Sequence, residues 1–266
     1  MRAPGPAGVA GCRGFGWNAG TVAWLDILAA AATTALLAAI ALRLAGRLAA
    51  ALVAALFAAL TMPAWLFGYG GLLERSVCET FLVVCVSIMA WCAIDLRERA
   101  STARAALFGL AAGACVVLKP NAGLYAPVIA GWVLLLRRSR PAGEPLIAGR
   151  IAAAAIVSAA LLPIGTLVWL WQQGVLADAR VAVLDFNRAY LAQGFSLDAF
   201  AAGFARNIWL RAKSDPLWLA SGIGILLVTW DLVRRRSLDS IASLSVSWGA
   251  AAALVILPLT PQQAID

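Results

Sequence analysis

Residues 103–136 read ARAALFGLAAGACVVLKPNAGLYAPVIAGWVLLL. Two apolar runs, 103–118 and 122–136, flank Lys119, Pro120 and Asn121. Each run is short of the ~20 residues that a spanning helix needs. Proline lacks a backbone N–H and disfavours helix at the residue before it. The pattern predicts two short, tilted helices meeting at a turn, rather than one overlong helix.

Further apolar runs lie on either side, at 22–42, 48–68, 77–94, 151–171, 216–233 and 241–259. Together they predict an all-α, polytopic transmembrane bundle of about eight spans, forming one domain over residues 1–266. The composition agrees. Hydrophobic residues make up 63% and charged residues 13%, with a mean hydropathy of +0.88. Soluble domains carry about 25% charged residues. Lipid accepts helices that are apolar on every face, so a membrane chain is the class that fits.

The formal charge is +8, from 21 Lys+Arg against 13 Asp+Glu. The basic residues form short clusters between apolar runs, which argues for topogenic charge and against nucleic-acid binding. One set of alternate connections holds twelve, among them Arg43, Arg47, Arg97, Arg99, Arg104 and Arg150. The other short connections hold two, Arg75 and Lys119. Basic loops favour the cytoplasm. This bias predicts that the 69–76 turn, the Lys119 turn and a long 172–215 loop all face outward. It also places the N-terminus outside. Met1 to Gly20 lacks a basic segment followed by an apolar core, so no signal peptide is read there. An outer N-terminus without one predicts a further helix upstream of Met1. The abundance of Ala and Arg suggests a GC-rich bacterial genome, and so an inner (plasma) membrane protein.

The long outer loop carries its own pattern. Ser196 is a candidate N-cap, with Leu197, Phe200, Phe204 and Ile208 at three-to-four spacing. Asp198, Arg206 and Lys213 fall away from that stripe. This predicts an amphipathic helix at the interface, with Trp209 at headgroup level.

Charges in or beside spans are costly and are functional candidates by default. Lys119 can hold an anionic phosphate as a point charge, or simply snorkel at the membrane border. Glu79 can orient a sugar hydroxyl, bind a metal, or pair with Arg75 four residues earlier. Asp26 lies near the end of an apolar run and either faces a cavity or marks a frayed helix end. Asp185, Asn187, Arg188 and Tyr190 gather acid, amide, base and phenol in one stretch, suited to polyhydroxyl recognition or to local hydrogen bonds. The five Cys (12, 78, 85, 92 and 115) include three at seven-residue spacing, on one helix face. With no His in the chain they read as packing residues, and no metal site is expected. No P-loop, GxSxG or zinc motif occurs, which argues against a nucleotide-driven cytoplasmic engine.

Several stretches resemble the GT-C superfamily of lipid-linked-sugar glycosyltransferases, and most closely the bacterial branch related to protein mannosyltransferases and aminoarabinose transferases. Ala3-Pro4-Gly5-Pro6 through Gly16-Trp17 looks like the end of that family's first outer loop. Leu44-Ala45-Gly46-Arg47 resembles its following turn, and Glu79 its acidic residue at the head of a span. Gly109 to Leu124, GLAAGACVVLKPNAGL, resembles its Gly-x-x-x-Gly…Lys helix end. Phe186-Asn187-Arg188-Ala189-Tyr190 resembles its Asn-x-x-Tyr. The likeness covers most of the chain through short motifs.

This resemblance implies transfer of a sugar from a polyprenyl-phosphate donor to a glycan, lipid or protein acceptor at the outer membrane face. Lys119 would contact the donor phosphate, and Glu79 with Arg75 would line the sugar pocket. Asp185, Asn187 and Tyr190 would border the acceptor cleft. The sequence departs from the family in one respect. The catalytic acid of the family sits in the first outer loop, and no Asp or Glu precedes Asp26 here. A general base must reach the acceptor proton, and the sequence names none. A transporter or lipid flippase is the first alternative, because the Lys119-Pro120 break mimics a discontinuous helix. A non-catalytic membrane scaffold is the second.

Overall fold

A computed structural model describes residues 19–61, 78–137 and 145–185, with isolated helical positions between 202 and 234. Among the described residues the secondary structure is helical, with no strand. Among the described residues, three helical stretches are long and apolar enough to cross a membrane: Trp24–Ala59, Thr80–Glu98 and Gly149–Gln172. Thr102–Leu118 is a shorter apolar helix. The all-α class is therefore present, and these helices are consistent with a membrane protein. The chain divides into two compact units, Met1–Val84 and Cys85–Asp266, which are described separately.

In the first unit, α1 runs over Ala19–Thr61 and is interrupted at Gly46, with φ 88° and ψ −175°. That backbone conformation is open to glycine and essentially closed to residues with a Cβ. Gly46 thus divides the helix at the place where the apolar pattern changes between the runs at 22–42 and 48–68. Along α1, large side chains such as Trp24, Leu28 and Leu48 are exposed, and only 11% of its most apolar window is buried. Such a surface is consistent with a helix that lies in lipid.

Helix α2 spans Cys78–Glu98 and crosses into the second unit. It connects through a tight hairpin to α3, Thr102–Leu118. Ser101 caps α3, its Oγ accepting from the Arg104 backbone N–H at 3.3 Å. Such a cap satisfies one of the donors left open in a first helical turn. The Arg104 side chain also donates to Asp95 across the hairpin, Nε to Oδ2 at 3.0 Å. The pair marks how the two helices align.

After Leu118 the backbone turns through a 3-10 segment, Pro120–Leu124, and enters α4, Tyr125–Arg137. The break falls where Pro120 places it. Ala122, Tyr125 and Ile129 are buried, so the turn and α4 fold back onto protein. Helix α5 covers Pro145–Gln172. It ends in a Schellman arrangement around Gly174, φ 72°. The Val175 N–H donates to the Leu170 carbonyl at 3.1 Å, and the Gly174 N–H to that of Trp171 at 3.0 Å. A short helix α6, Leu176–Arg180, and a π-helical turn, Val181–Asp185, follow.

The closest helix contact in the second unit is α3 against α5. A Cβ at Gly109 would overlap the Ala155 carbonyl oxygen and lie 3.0 Å from the Ala155 Cα. A Cβ at Gly113 would overlap the Ala159 oxygen and lie 3.2 Å from the Pro163 Cδ. The Gly109-x-x-x-Gly113 face therefore meets Ala155, Ala159 and Pro163, as the small-xxx-small spacing predicts. Pro163 has no N–H, so the Ala159 carbonyl lacks its usual i+4 donor. That carbonyl lies against Gly113, where a Cα–H offers a weak hydrogen bond. The numbering rises together on both helices, so α3 and α5 run parallel.

Candidate functional site

Parallel packing gives the second unit two chemically different ends. At the start of α3 and α5, an open cleft of about 380 Å³ is lined by Ala100, Ser101, Thr102, Ala103, Arg150 and Ile151. Arg104 and Arg99 belong to the same hairpin, so one end is rich in guanidinium groups. The other end of α3 carries Lys119. The helix has 17 residues, so Lys119 stands ~25 Å away at 1.5 Å per residue.

Lys119 is the C-cap of α3, and its N–H donates to the Cys115 carbonyl at 2.8 Å. Its own carbonyl accepts from the Ala122 N–H at 2.8 Å, which closes the 3-10 turn. A Cβ on Gly123 would come within 2.8 Å of Val116 Cγ2. The turn is thus held against the last part of α3, and the position of the Lys119 Cα is set by that packing. The lysine side chain is partly exposed.

The helices also decide how far the end of α5 lies past Lys119 along the bundle. Gly113 is level with Ala159. From there α3 continues five residues to Leu118, while α5 continues thirteen to Gln172. The eight extra residues carry α5 ~12 Å past the end of α3. Asp185 closes the π-helical turn that follows α6 and is exposed. Sequence order brings Lys119 and the 176–185 segment after the same ends of α3 and α5.

The other predicted site residues stand as follows. Glu79 is the second residue of α2, and its side chain lies outside the described residues, as do Arg75, Asn187 and Tyr190. The amphipathic stretch is described at Ala202, Gly203, Arg206 and Trp209, all helical, with Trp209 61% exposed. Phe200, Phe204 and Ile208 fall outside the described residues. In the first unit, the Asp26 Oδ1 is enclosed without a hydrogen-bond partner. Among the described residues no His, Cys, Asp and Glu group is arranged to hold a metal.

Two features escape a reading by residue type. The Ser101 cap, which lines one cleft with Arg150, is one. The face of α5 that meets Gly109 and Gly113 had no visible signal, because Ala fills 152–155 as well as 159 and 160. No family model, curated protein or solved structure matches the chain.

Proposed function

We propose that this protein is a multi-pass glycosyltransferase of the GT-C type, with about eight spans, in a bacterial inner membrane. It moves a sugar from a polyprenyl-phosphate donor to an extracytoplasmic glycan, lipid or protein acceptor. Lys119 binds the donor phosphate in this reading. Glu79 and Arg75 line the sugar pocket, and Asp185, Asn187 and Tyr190 border the acceptor.

The observation that carries the proposal is the setting of Lys119. It ends a helix held by Gly109 and Gly113 against α5, at the end opposite Arg104 and Arg150. A cation fixed at that height meets a lipid-borne phosphate without leaving the membrane edge. An ammonium serves there as a point charge that tolerates several phosphate orientations.

The test is turnover of a polyprenyl-phosphate sugar by membranes containing the protein. Lys119→Ala is expected to lower kcat/KM for the donor at least tenfold, and Lys119→Arg to restore part of it. Donor turnover that is indifferent to both changes would remove Lys119 from the site. Absence of turnover by the unaltered protein with any polyprenyl-phosphate sugar would remove the transferase reading itself.

A further inference from the structure

We propose that Cys85 and Cys115 form a redox pair that closes into a disulfide across the α2–α3 hairpin when a lipid-soluble quinone reaches it. The two thiols lie within hydrogen-bonding reach of each other, one from each helix. The register of the hairpin supports this contact independently. Asp95 and Arg104, which are ion-paired at 3.0 Å, lie five residues before and four residues after Ala100. Cys85 and Cys115 each lie fifteen residues from that same apex. In an antiparallel helical hairpin, residues equidistant from the apex lie at the same height. The ion pair and the thiol pair therefore mark the same alignment at two depths.

Fifteen residues of helix place the thiols ~22 Å from the hairpin apex, inside the apolar stretch of α2. Both are free thiols, with Cys115 fully buried and Cys85 partly exposed. Cys85 is thus the sulfur an oxidant meets first, and Cys115 is the one that resolves. Cys92, one heptad further along α2, is also fully buried and has the bulky Phe108 opposite it by the same count. That position has no partner thiol. The heptad stripe of cysteines offers a single reactive pairing among the described residues.

The chemistry selects the oxidant. Oxidised glutathione is charged and does not enter hydrocarbon. Its exchange reaction also needs a thiolate, which an apolar setting disfavours. An uncharged quinone enters and accepts two electrons. In the step, two S–H bonds break and one S–S bond forms. Two electrons and two protons pass to the quinone, which leaves as the quinol.

The experiment uses the whole chain in lipid vesicles. It is exposed either to a short-chain uncharged benzoquinone or to oxidised glutathione, then quenched with acid and digested for mass spectrometry. The quinone is expected to yield a peptide cross-linked between Cys85 and Cys115, with two of the five thiols lost to maleimide labelling. Oxidised glutathione should leave Cys85 and Cys115 labelled. Cys85→Ser should abolish the cross-link, and so should Cys115→Ala, chosen because a hydroxyl at that buried site disturbs packing. No cross-link with quinone, a cross-link between other cysteines, or equal reaction with oxidised glutathione would each overturn the proposal. Sugar-transfer activity plays no part in these readouts.

Discussion

Gly46 in the first unit and Gly109 in the second are both helical-segment glycines, and they are glycine for opposite reasons. Around Gly46 an added Cβ meets nothing within 4 Å, but φ is 88°. The backbone there needs a conformation that other residues resist. Gly109 has helical backbone and no room, because the Ala155 carbonyl occupies the place of its Cβ. One glycine bends a chain, and the other lets two chains touch. In lipid, where apolar burial gives helices little reason to associate, the second use decides which helices pair.

Substitution at each glycine tests that contrast. The largest effect is expected at Gly109→Ala. The atoms it meets are backbone and cannot rotate away, so α3 and α5 must separate. A loss of about 3 kcal/mol or more is expected, at the upper end of overpacking costs, read by thermal unfolding in detergent. Gly113→Ala should cost less, about 2 kcal/mol, because part of its neighbourhood is the Pro163 ring. Gly46→Ala should cost about 1–2 kcal/mol through backbone strain alone. Gly46→Asn should cost as much as Gly46→Ala, because ψ is −175° and lies outside the left-handed helical region that Asn tolerates. A stability change at Gly46 equal to that at Gly109 would break the distinction. The smallest effect belongs to the Asp95–Arg104 pair. The Arg side chain is 42% exposed, so a double-mutant cycle on the two residues should return under about 1 kcal/mol of coupling.

Much of the helical layout was legible in residues 103–136. Pro120 announced the break, and the structure has α3 ending at Leu118 with a 3-10 turn after it. The spacing of Gly109 and Gly113 announced a close approach. It did not announce the partner, because α5 is small-sided over too many positions for one face to stand out. The Lys119 site was legible as a charged residue at a helix end. Its height relative to the end of α5 was not, since that is the difference between two helix lengths measured from the Gly113–Ala159 contact. The thiol pair was hidden for the same kind of reason. Heptad spacing put Cys85 and Cys92 on one face of α2, but Cys115 joins only one of them, and the hairpin apex decides which.

The sequence alone determined the helical class, the apolar stretches fit for a membrane, and the break at Lys119-Pro120. These follow from local chemistry: transfer of side chains into lipid, and the missing N–H of proline. Tertiary structure alone decided that α3 and α5 are parallel, that Ala159 offers its freed carbonyl to Gly113, and that Cys115 meets Cys85. Those facts depend on which of many small-residue faces pack without a gap, a choice made by contacts between segments distant in the chain.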